Sequence, residues 1–170
     1  LTHLAFLVMV VVLAHHPVLF IGLFLFFMGV VTAYGRHQGR LILREGLLVG
    51  FFLAGLVVLG GQQQWWLKPV LTSLSSDAVF WGAMGLTAFT DNAALTYLGS
   101  LVDGLSPEFK VALVAGAVTG GGMTVIANAP NPAGVAILRR YFDHGAVNPG
   151  ILALAAAIPT FVAAMAFQLP

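Results

Sequence analysis

Apolar residues occur in long runs along this chain, and short polar or proline-containing segments separate them. Residues 4–14 form a short first run. Pro17 then suits the first position of a helix, where its missing N–H has no helical partner to lose. Residues 17–34, and residues 47–60 with their upstream flank, approach the roughly 20 apolar residues with which a helix crosses a bilayer. Residues 1–74 are therefore predicted to be a scaffold of transmembrane helices.

Residues 75–105 contain two apolar stretches that are short for a membrane span. Ser75 predicts a helix N-cap and Asp77 places an acid in the first turn, where both are favourable. The first arm ends at the polar residues 90–92, and a second arm follows over residues 93–102. At 1.5 Å per residue these arms reach about 20 Å and about 15 Å, whereas the hydrocarbon core is about 30 Å thick. We therefore predict a re-entrant helical hairpin, which enters and leaves the membrane on one side.

Residues 106–143 predict a helix that breaks within the membrane. Ser106 is a typical N-cap, and the proline and glutamate that follow it suit the first turn. Pro130 and Pro132 cannot sit in a continuous helix, so the helix must break before them. We expect a short helix to restart with Asn131 as its cap and Pro132 at its first position.

Residues 144–170 predict the last transmembrane helix, which Asn148 and Pro149 begin. The pattern as a whole predicts an all-α membrane protein with transmembrane helices, one re-entrant hairpin and one broken helix. The two breaks would expose backbone N–H and C=O groups at membrane depth, which survive only when protein or a water-filled cavity satisfies them. A binding site shared by the two breaks explains both.

Composition agrees with a lipid environment, because 59% of the 170 residues are hydrophobic and only 8% are charged. The net charge of +1 gives no indication of a nucleic-acid partner. The absence of cysteine excludes disulfides, thiolate nucleophiles and cysteine-ligated zinc. The chain begins at Leu1 inside an apolar run without a basic leader, so we expect a piece of a longer protein rather than a signal peptide.

The basic residues predict an orientation. Five arginines fall on one side of the predicted layout and two lysines on the other, and the richer side is expected to be cytoplasmic. The cytoplasmic set comprises Arg36, Arg40 and Arg44 in the loop of residues 36–44, together with Arg139 and Arg140, and the opposite set is Lys68 and Lys110. We expect a multi-pass protein of a bacterial inner (plasma) membrane.

Asp91 is the acid that the layout places deepest. A carboxylate near the bilayer centre is costly unless it pairs, binds a cation or takes a proton. Capping of the second arm is the alternative explanation for Asp91, and Asn131 is equally a candidate cap. Hard cations prefer oxygen ligands, which hydroxyl and amide side chains at the two breaks supply. The predicted ion-binding residues are Thr90, Asp91, Asn92, Thr124, Asn128 and Asn131, with Asp91, Asn92 and Asn128 as the expected Na⁺ ligands.

Glycines and prolines surround the second break. A phosphate loop is excluded as an explanation of the glycines, because no Lys-Ser/Thr pair follows them. Small residues in membrane helices favour close packing, and a hinge role is the alternative. The predicted hinge or packing residues are Gly120, Gly121, Gly122, Pro130 and Pro132.

Two segments carry a resemblance to a known family, namely TDNAALTYLGSLV and VTGGGMTVIANAPNPAG. They resemble the carboxy-terminal repeat of the sodium/proton antiporter family of the ion transporter superfamily, which also holds arsenite permeases and dicarboxylate or citrate carriers. The resemblance implies two inverted repeats, each with a re-entrant hairpin and a broken helix, of which this chain holds one. The tip, residues 90–92, stands where the dicarboxylate carriers have Ser-Asn-Thr, and an aspartate there disfavours a dianionic substrate.

The first hypothesis is a secondary antiporter in which Asp91 alternately binds a monovalent cation, most simply Na⁺, and a proton. The alternatives are a cation-coupled carrier of an oxyanion or carboxylate, held at the helix N-termini near Asn92 and Asn131, and a structural membrane subunit. An enzyme is not expected, because a two-aspartate hydrolase would need a second deep acid. We expect no cofactor beyond the transported Na⁺ and H⁺. The expected partners are the lipid bilayer, inorganic ions and the missing amino-terminal repeat. A homodimer is compatible with the sequence, and no nucleic-acid partner is expected.

Overall fold

The structure is a computed structural model that describes residues 1–169 and, among these, every side chain except that of Glu45. Helices are the regular elements of the described residues. They are α1 (Thr2–Val12), α2 (Pro17–Ala33), α3 (Leu43–Gly60), α4 (Gln64–Thr72), α5 (Ser76–Thr87), α6 (Asn92–Ser100), α7 (Pro107–Gly120), α8 (Asn131–Leu138) and α9 (Pro149–Gln168), with short 3₁₀ turns at Gly35–His37, Arg139–Tyr141 and Asp143–Gly145. The all-α prediction is thus confirmed for this part of the chain.

The described chain divides into two compact units, of which the first is Leu1–Leu41. It consists of α1 and α2, which pack on each other through aromatic side chains. The ring of Phe6 lies 5.7 Å from that of Phe26 and 5.1 Å from that of Phe27, measured between ring centroids. Pro17 occupies the first turn of α2, as predicted.

The second unit begins at Ile42 and contains α3 to α9. Its centre is the packing of α5 and α6 on α7. Gly116 and Gly120 on α7 lie against the backbone of Phe80 and Met84 on α5, so these two helices run in the same direction. Gly99 on α6 contacts Leu113 on α7, whereas the start of α6 lies beside the end of α7, so α6 runs the opposite way. The helices α5 and α6 therefore form an antiparallel hairpin.

Local capping places the helix starts where the sequence predicts them. The hydroxyl of Ser75 accepts a hydrogen bond from the backbone N–H of Ala78 at 3.2 Å, and that of Ser106 accepts one from Phe109 at 3.2 Å. The side chain of Asn148 accepts hydrogen bonds from two backbone N–H groups at the start of α9. The three predicted caps are thus confirmed. Each depends only on residues within one turn of the helix start, so the sequence alone is sufficient to predict it.

The helix α4 was not predicted from the sequence. It spans Gln64–Thr72 and includes Pro69 in its interior. It meets α3 at a bend of 83°. A short helix with an internal proline and a polar start carries few sequence signals of a helix.

One helix of the described residues, Pro149–Gln168, is by itself long and apolar enough to cross a membrane. The pair Gly46–Gly60 and Gln64–Thr72 meets the same test only when taken together across its bend. The span predicted over residues 17–34 is a helix of 17 residues, Pro17–Ala33, at the lower limit for a membrane-crossing helix.

Candidate functional site

The tip of the α5–α6 hairpin is built around Asp91. Asp91 is the N-cap of α6, and its Oδ1 accepts hydrogen bonds from the backbone N–H groups of Ala93 at 2.8 Å and Ala94 at 3.2 Å. The helical turn before it is closed by the backbone N–H of Thr90, which donates to the carbonyl of Leu86 at 2.9 Å. The capping explanation for Asp91 is therefore correct for one of its two carboxylate oxygens.

The second oxygen of Asp91 is not explained by capping. Asp91 is 6% exposed, and its Oδ2 is buried without a hydrogen-bond partner in the part of the chain that the structure describes. A buried charged oxygen without a partner loses its hydration and gains nothing in exchange. The hydrogen-bonding capacity of Oδ2 is thus unused within the described residues.

The break predicted after α7 is present between Gly120 and Asn131. The side-chain amide of Asn131 holds it closed, since Nδ2 donates to the carbonyls of Gly121 and Thr124, each at 3.1 Å. The prediction that Asn131 caps α8 was wrong. The helix begins at Asn131 itself, with Pro130 at the cap position and Pro132 at the second helical position instead of the first. The asparagine side chain turns back to satisfy carbonyls of the break instead of the N–H groups ahead of it.

The hairpin tip and the break are joined by hydrogen bonds. The backbone N–H of Asn92 donates to the carbonyl of Ala127 at 3.1 Å. The hydroxyl of Thr124 donates to the carbonyl of Ala88 at 2.7 Å. Two irregular segments that are 36 residues apart in sequence thus satisfy each other's backbone groups, as buried irregular backbone must.

A cavity of about 660 Å³ opens beside this junction. Hydrophobic residues of α3, the tip and the break form most of its wall, and the polar contributions come from Thr90, Asp91 and Asn128. Among the described residues that line it, Asp91 carries the one charge. The full lining is Leu48, Val49, Phe52, Leu56, Phe89, Thr90, Asp91, Ala94, Ile126, Asn128, Ala129 and Pro132.

The predicted site residues divide into two groups. Thr90, Asp91, Asn128 and Pro132 line the cavity. Three others lie at the junction but outside the cavity wall, namely Asn92, Thr124 and Asn131. The side chains of Thr124 and Asn131 donate hydrogen bonds to backbone carbonyls of the tip and the break. Of the expected Na⁺ ligands, the structure thus brings Asp91 and Asn128 to one cavity and leaves Asn92 beside Gly121.

The three glycines of the break differ in their surroundings. A Cβ at Gly120 would overlap the backbone carbonyl of Met84, and one at Gly121 would come within 3.2 Å of Asn92 Nδ2. A Cβ at Gly122 would meet nothing within 4 Å. Close packing therefore accounts for Gly120 and, less strictly, for Gly121, but not for Gly122.

Sequence reasoning missed Thr87 and the wall that α3 contributes. Thr87 is fully buried, and its hydroxyl lacks a hydrogen-bond partner among the described residues. It stands four residues before Asp91, but α5 ends at Thr87 and Asp91 caps the next helix, so the spacing of side chains along one helix gave no signal for it. The apolar wall of α3 had no signal either, because a residue that faces lipid and one that faces a cavity are both apolar.

The described residues hold no cluster of three or more histidine, cysteine, aspartate or glutamate side chains that could bind a metal ion.

Comparison with family models gives a match over the whole sequence. A family model described as "Putative Na+/H+ antiporter" matches residues 1–170. No curated protein and no solved structure matches the chain. An antiporter family consists of integral membrane transporters and not of enzymes. Because the match extends over all 170 residues of the sequence, the chain belongs to this Na⁺/H⁺ antiporter family.

Proposed function

We propose that this chain forms the cation-binding half of a secondary antiporter that exchanges Na⁺ for H⁺, with Asp91 as the group that both ions share. The observation that carries the proposal is the buried, unpartnered Oδ2 of Asp91 at the junction of the hairpin tip and the break. A cation or a proton on this oxygen would replace its lost hydration. Since one carboxylate cannot hold both at once, the two fluxes are coupled, and the transmembrane proton gradient drives the exchange without a cofactor.

Neutral oxygens near Asp91 complete the proposed coordination. Thr90 and Asn128 line the same cavity as Asp91. The hydroxyl of Thr90 donates its proton to the carbonyl of Leu86 at 2.9 Å, so its lone pairs remain available to a cation. Because the rest of the wall is carbon, water in the cavity would supply the remaining ligands.

The proposed membrane arrangement is a re-entrant hairpin beside a broken helix. The helices α5 and α6 have 12 and 9 residues, and at 1.5 Å per residue both are far shorter than about 30 Å of hydrocarbon. Lipid contact is supported by α9, on which Ile151, Leu154 and Ile158 are 67%, 75% and 74% exposed. In this arrangement the arginine-rich side, with residues 36–44 and Arg139–Arg140, is cytoplasmic.

The hairpin tip supports a cation more than an anion. An anion carrier would use the free N–H groups at the N-terminus of α6. Two of these groups, on Ala93 and Ala94, already donate to Asp91 Oδ1, and that of Asn92 donates to Ala127. The negative oxygen beside them would in addition repel an oxyanion or a carboxylate.

The test is Na⁺-dependent proton release by the full-length protein in proteoliposomes, with Asp91→Asn as the variant. Asparagine is as good an N-cap as aspartate, so folding is retained while the charge is lost. We expect the exchange rate to fall at least about tenfold, equivalent to about 1.4 kcal/mol. Asp103→Asn is the matched control, because it removes an exposed acid just beyond the same hairpin and should exchange normally.

Two results would contradict the proposal. Exchange at the wild-type rate in Asp91→Asn would remove Asp91 from the mechanism. Uptake of a labelled dicarboxylate or of arsenite that survives Asp91→Asn would instead support the anion carrier.

A further inference from the structure

The hydroxyl of Thr87 differs from those of four other helical threonines, Thr32, Thr72, Thr96 and Thr119. A helical threonine commonly donates to the carbonyl one turn earlier, and several here do. These four each donate to the carbonyl four residues before, and so does Thr90 just beyond the end of α5. Thr87 is 0% exposed, and its Oγ1 has no partner within the described part of the chain.

An unpartnered buried hydroxyl is costly for a folded protein. Leaving such a group unsatisfied costs about 1–3 kcal/mol, and few occur in native structures. Valine has nearly the same shape and would avoid this cost. A threonine at this position is therefore better explained by a partner that arrives from outside the chain than by packing.

Thr87 lies at the same junction as Asp91. It is in the last turn of α5, and its carbonyl accepts a hydrogen bond from the N–H of Thr90 at 3.3 Å, directly before Asp91. Its Cβ is 3.1 Å from the position that a Cβ on Gly120, the last residue of α7, would take. Among buried side-chain oxygens and nitrogens of the described residues, Thr87 Oγ1 and Asp91 Oδ2 are the two that lack partners.

We infer that Thr87 Oγ1 is a ligand of the transported cation and binds it together with Asp91 Oδ2. The inference rests on the proposed function and adds to it a residue that sets the affinity for the ion. A hydroxyl oxygen offers two lone pairs, and hard cations take oxygen ligands. Both atoms are shielded from solvent, so the ligand they suit is a small monovalent cation that exchanges part of its water for protein oxygens, such as Na⁺ or Li⁺.

The test compares Thr87→Ala, Thr87→Ser and Thr87→Val in the full-length protein. Alanine and serine both leave out the threonine methyl and differ only by the hydroxyl. We expect the KM for Na⁺ in proteoliposome exchange to rise about tenfold or more in Thr87→Ala, as expected for one lost ligand, and to stay near the wild-type value in Thr87→Ser. Thr87→Val should show the same rise in KM as Thr87→Ala, while its Tm without Na⁺ equals or exceeds that of the wild type.

Thr119→Val is the matched control. Thr119 is also buried, on the neighbouring helix α7, but its hydroxyl already donates to the carbonyl of Ala115 at 2.7 Å. Its replacement should leave the KM for Na⁺ unchanged. A purely structural threonine would reverse the pattern, with Thr87→Val less stable and unaltered in KM.

Cation binding is measured separately from transport as the rise in Tm that Li⁺, Na⁺ or K⁺ causes, because a ligand stabilises the folded state by an amount that grows with its concentration relative to its Kd. If the wild type fails to exchange ions but is stabilised by Na⁺ through the Thr87 hydroxyl, the proposed function falls and this inference stands. Equal KM values and equal Na⁺-induced shifts in Tm in Thr87→Ala and Thr87→Ser would overturn the inference, since the hydroxyl would then bind at most a buried water molecule. A wild type that none of the three cations stabilises would overturn it as well.

Discussion

Replacing Gly120 and Gly122 by alanine, one at a time, separates close packing from hinge flexibility at the break. The two residues belong to the same run of three glycines, and both substitutions add the same methyl group. A Cβ at Gly120 would overlap the carbonyl of Met84 and approach the Cβ of Thr87 to 3.1 Å. A Cβ at Gly122 would meet nothing within 4 Å.

The expected cost at Gly120 follows from two opposing terms. Alanine in a helix is favoured over glycine by up to about 1 kcal/mol. Overpacking a close contact costs about 1–3 kcal/mol, and the upper part of this range applies because the opposing atoms are backbone and cannot change rotamer. The free energy of unfolding is therefore expected to fall by about 1–2 kcal/mol, which lowers the Tm of a domain of this size by about 2–8 °C. Gly122→Ala should stay within about 0.5 kcal/mol of the wild type.

The loss of ion exchange should follow the same order as the loss of stability, with Gly120→Ala affected more than Gly122→Ala. Separating α5 from α7 displaces Thr87 and the tip relative to the break, and a displacement of about 1 Å at a site can cost on the order of a hundredfold in rate. We therefore expect Gly120→Ala to reduce Na⁺-dependent proton release and Gly122→Ala to leave it unchanged. The assays are thermal unfolding in detergent and exchange in proteoliposomes, on the same preparations. A loss of exchange in Gly122→Ala as large as that in Gly120→Ala, at wild-type Tm, would refute the packing argument and favour a hinge.

Two further predictions concern the segments that hold the site. Asn131→Ala leaves the carbonyls of Gly121 and Thr124 without their donor, so we expect a loss of about 1–3 kcal/mol in thermal unfolding together with reduced exchange. Wild-type stability in that variant would show that the amide does not hold the break closed. Ser106→Ala removes the N-cap of α7 and should cost about 1 kcal/mol while the KM for Na⁺ stays unchanged. A changed KM would show that the start of α7 is coupled to the site.

Features that depend on neighbouring residues in the chain could be predicted from the sequence. Ser75, Ser106 and Asn148 each cap a helix with an atom that lies within one turn of the backbone groups it satisfies. The break before α8 follows from Pro130 and Pro132, because neither has the N–H group with which a helix continuing from α7 would bond, whereas the first turn of α8 accommodates Pro132. The helix α4 was missed because Pro69 lies inside it and weakens the local preference for a helix. The bend after α3 and the packing of Leu67 in the core outweigh this weak preference in the fold.

The composition of the site could be predicted only in part, because each side-chain role depends on a tertiary partner. Thr124 and Asn131 were expected to face an ion, but their hydrogen-bonding groups bind carbonyls of the tip and the break. Thr87 was not expected at all, since its special feature is the partner that it lacks. A sequence shows which groups can donate or accept hydrogen bonds, whereas only the fold shows which of them are already used.

Under the proposed function, Asp91 would be a capping residue and an ion-binding residue at the same time. A carboxylate has two oxygens, and in this tip they have different tasks: Oδ1 satisfies the first N–H groups of α6, and Oδ2 is left buried without a partner. An asparagine would fulfil the first task equally well and would avoid burying a charge. The charge is therefore explained by the second oxygen alone. The cap in turn fixes the rotamer of the side chain, so that Oδ2 has a set position at the junction with Thr87 before any ion arrives. Such preorganisation lowers the cost of binding, because the site does not have to order itself around the ion.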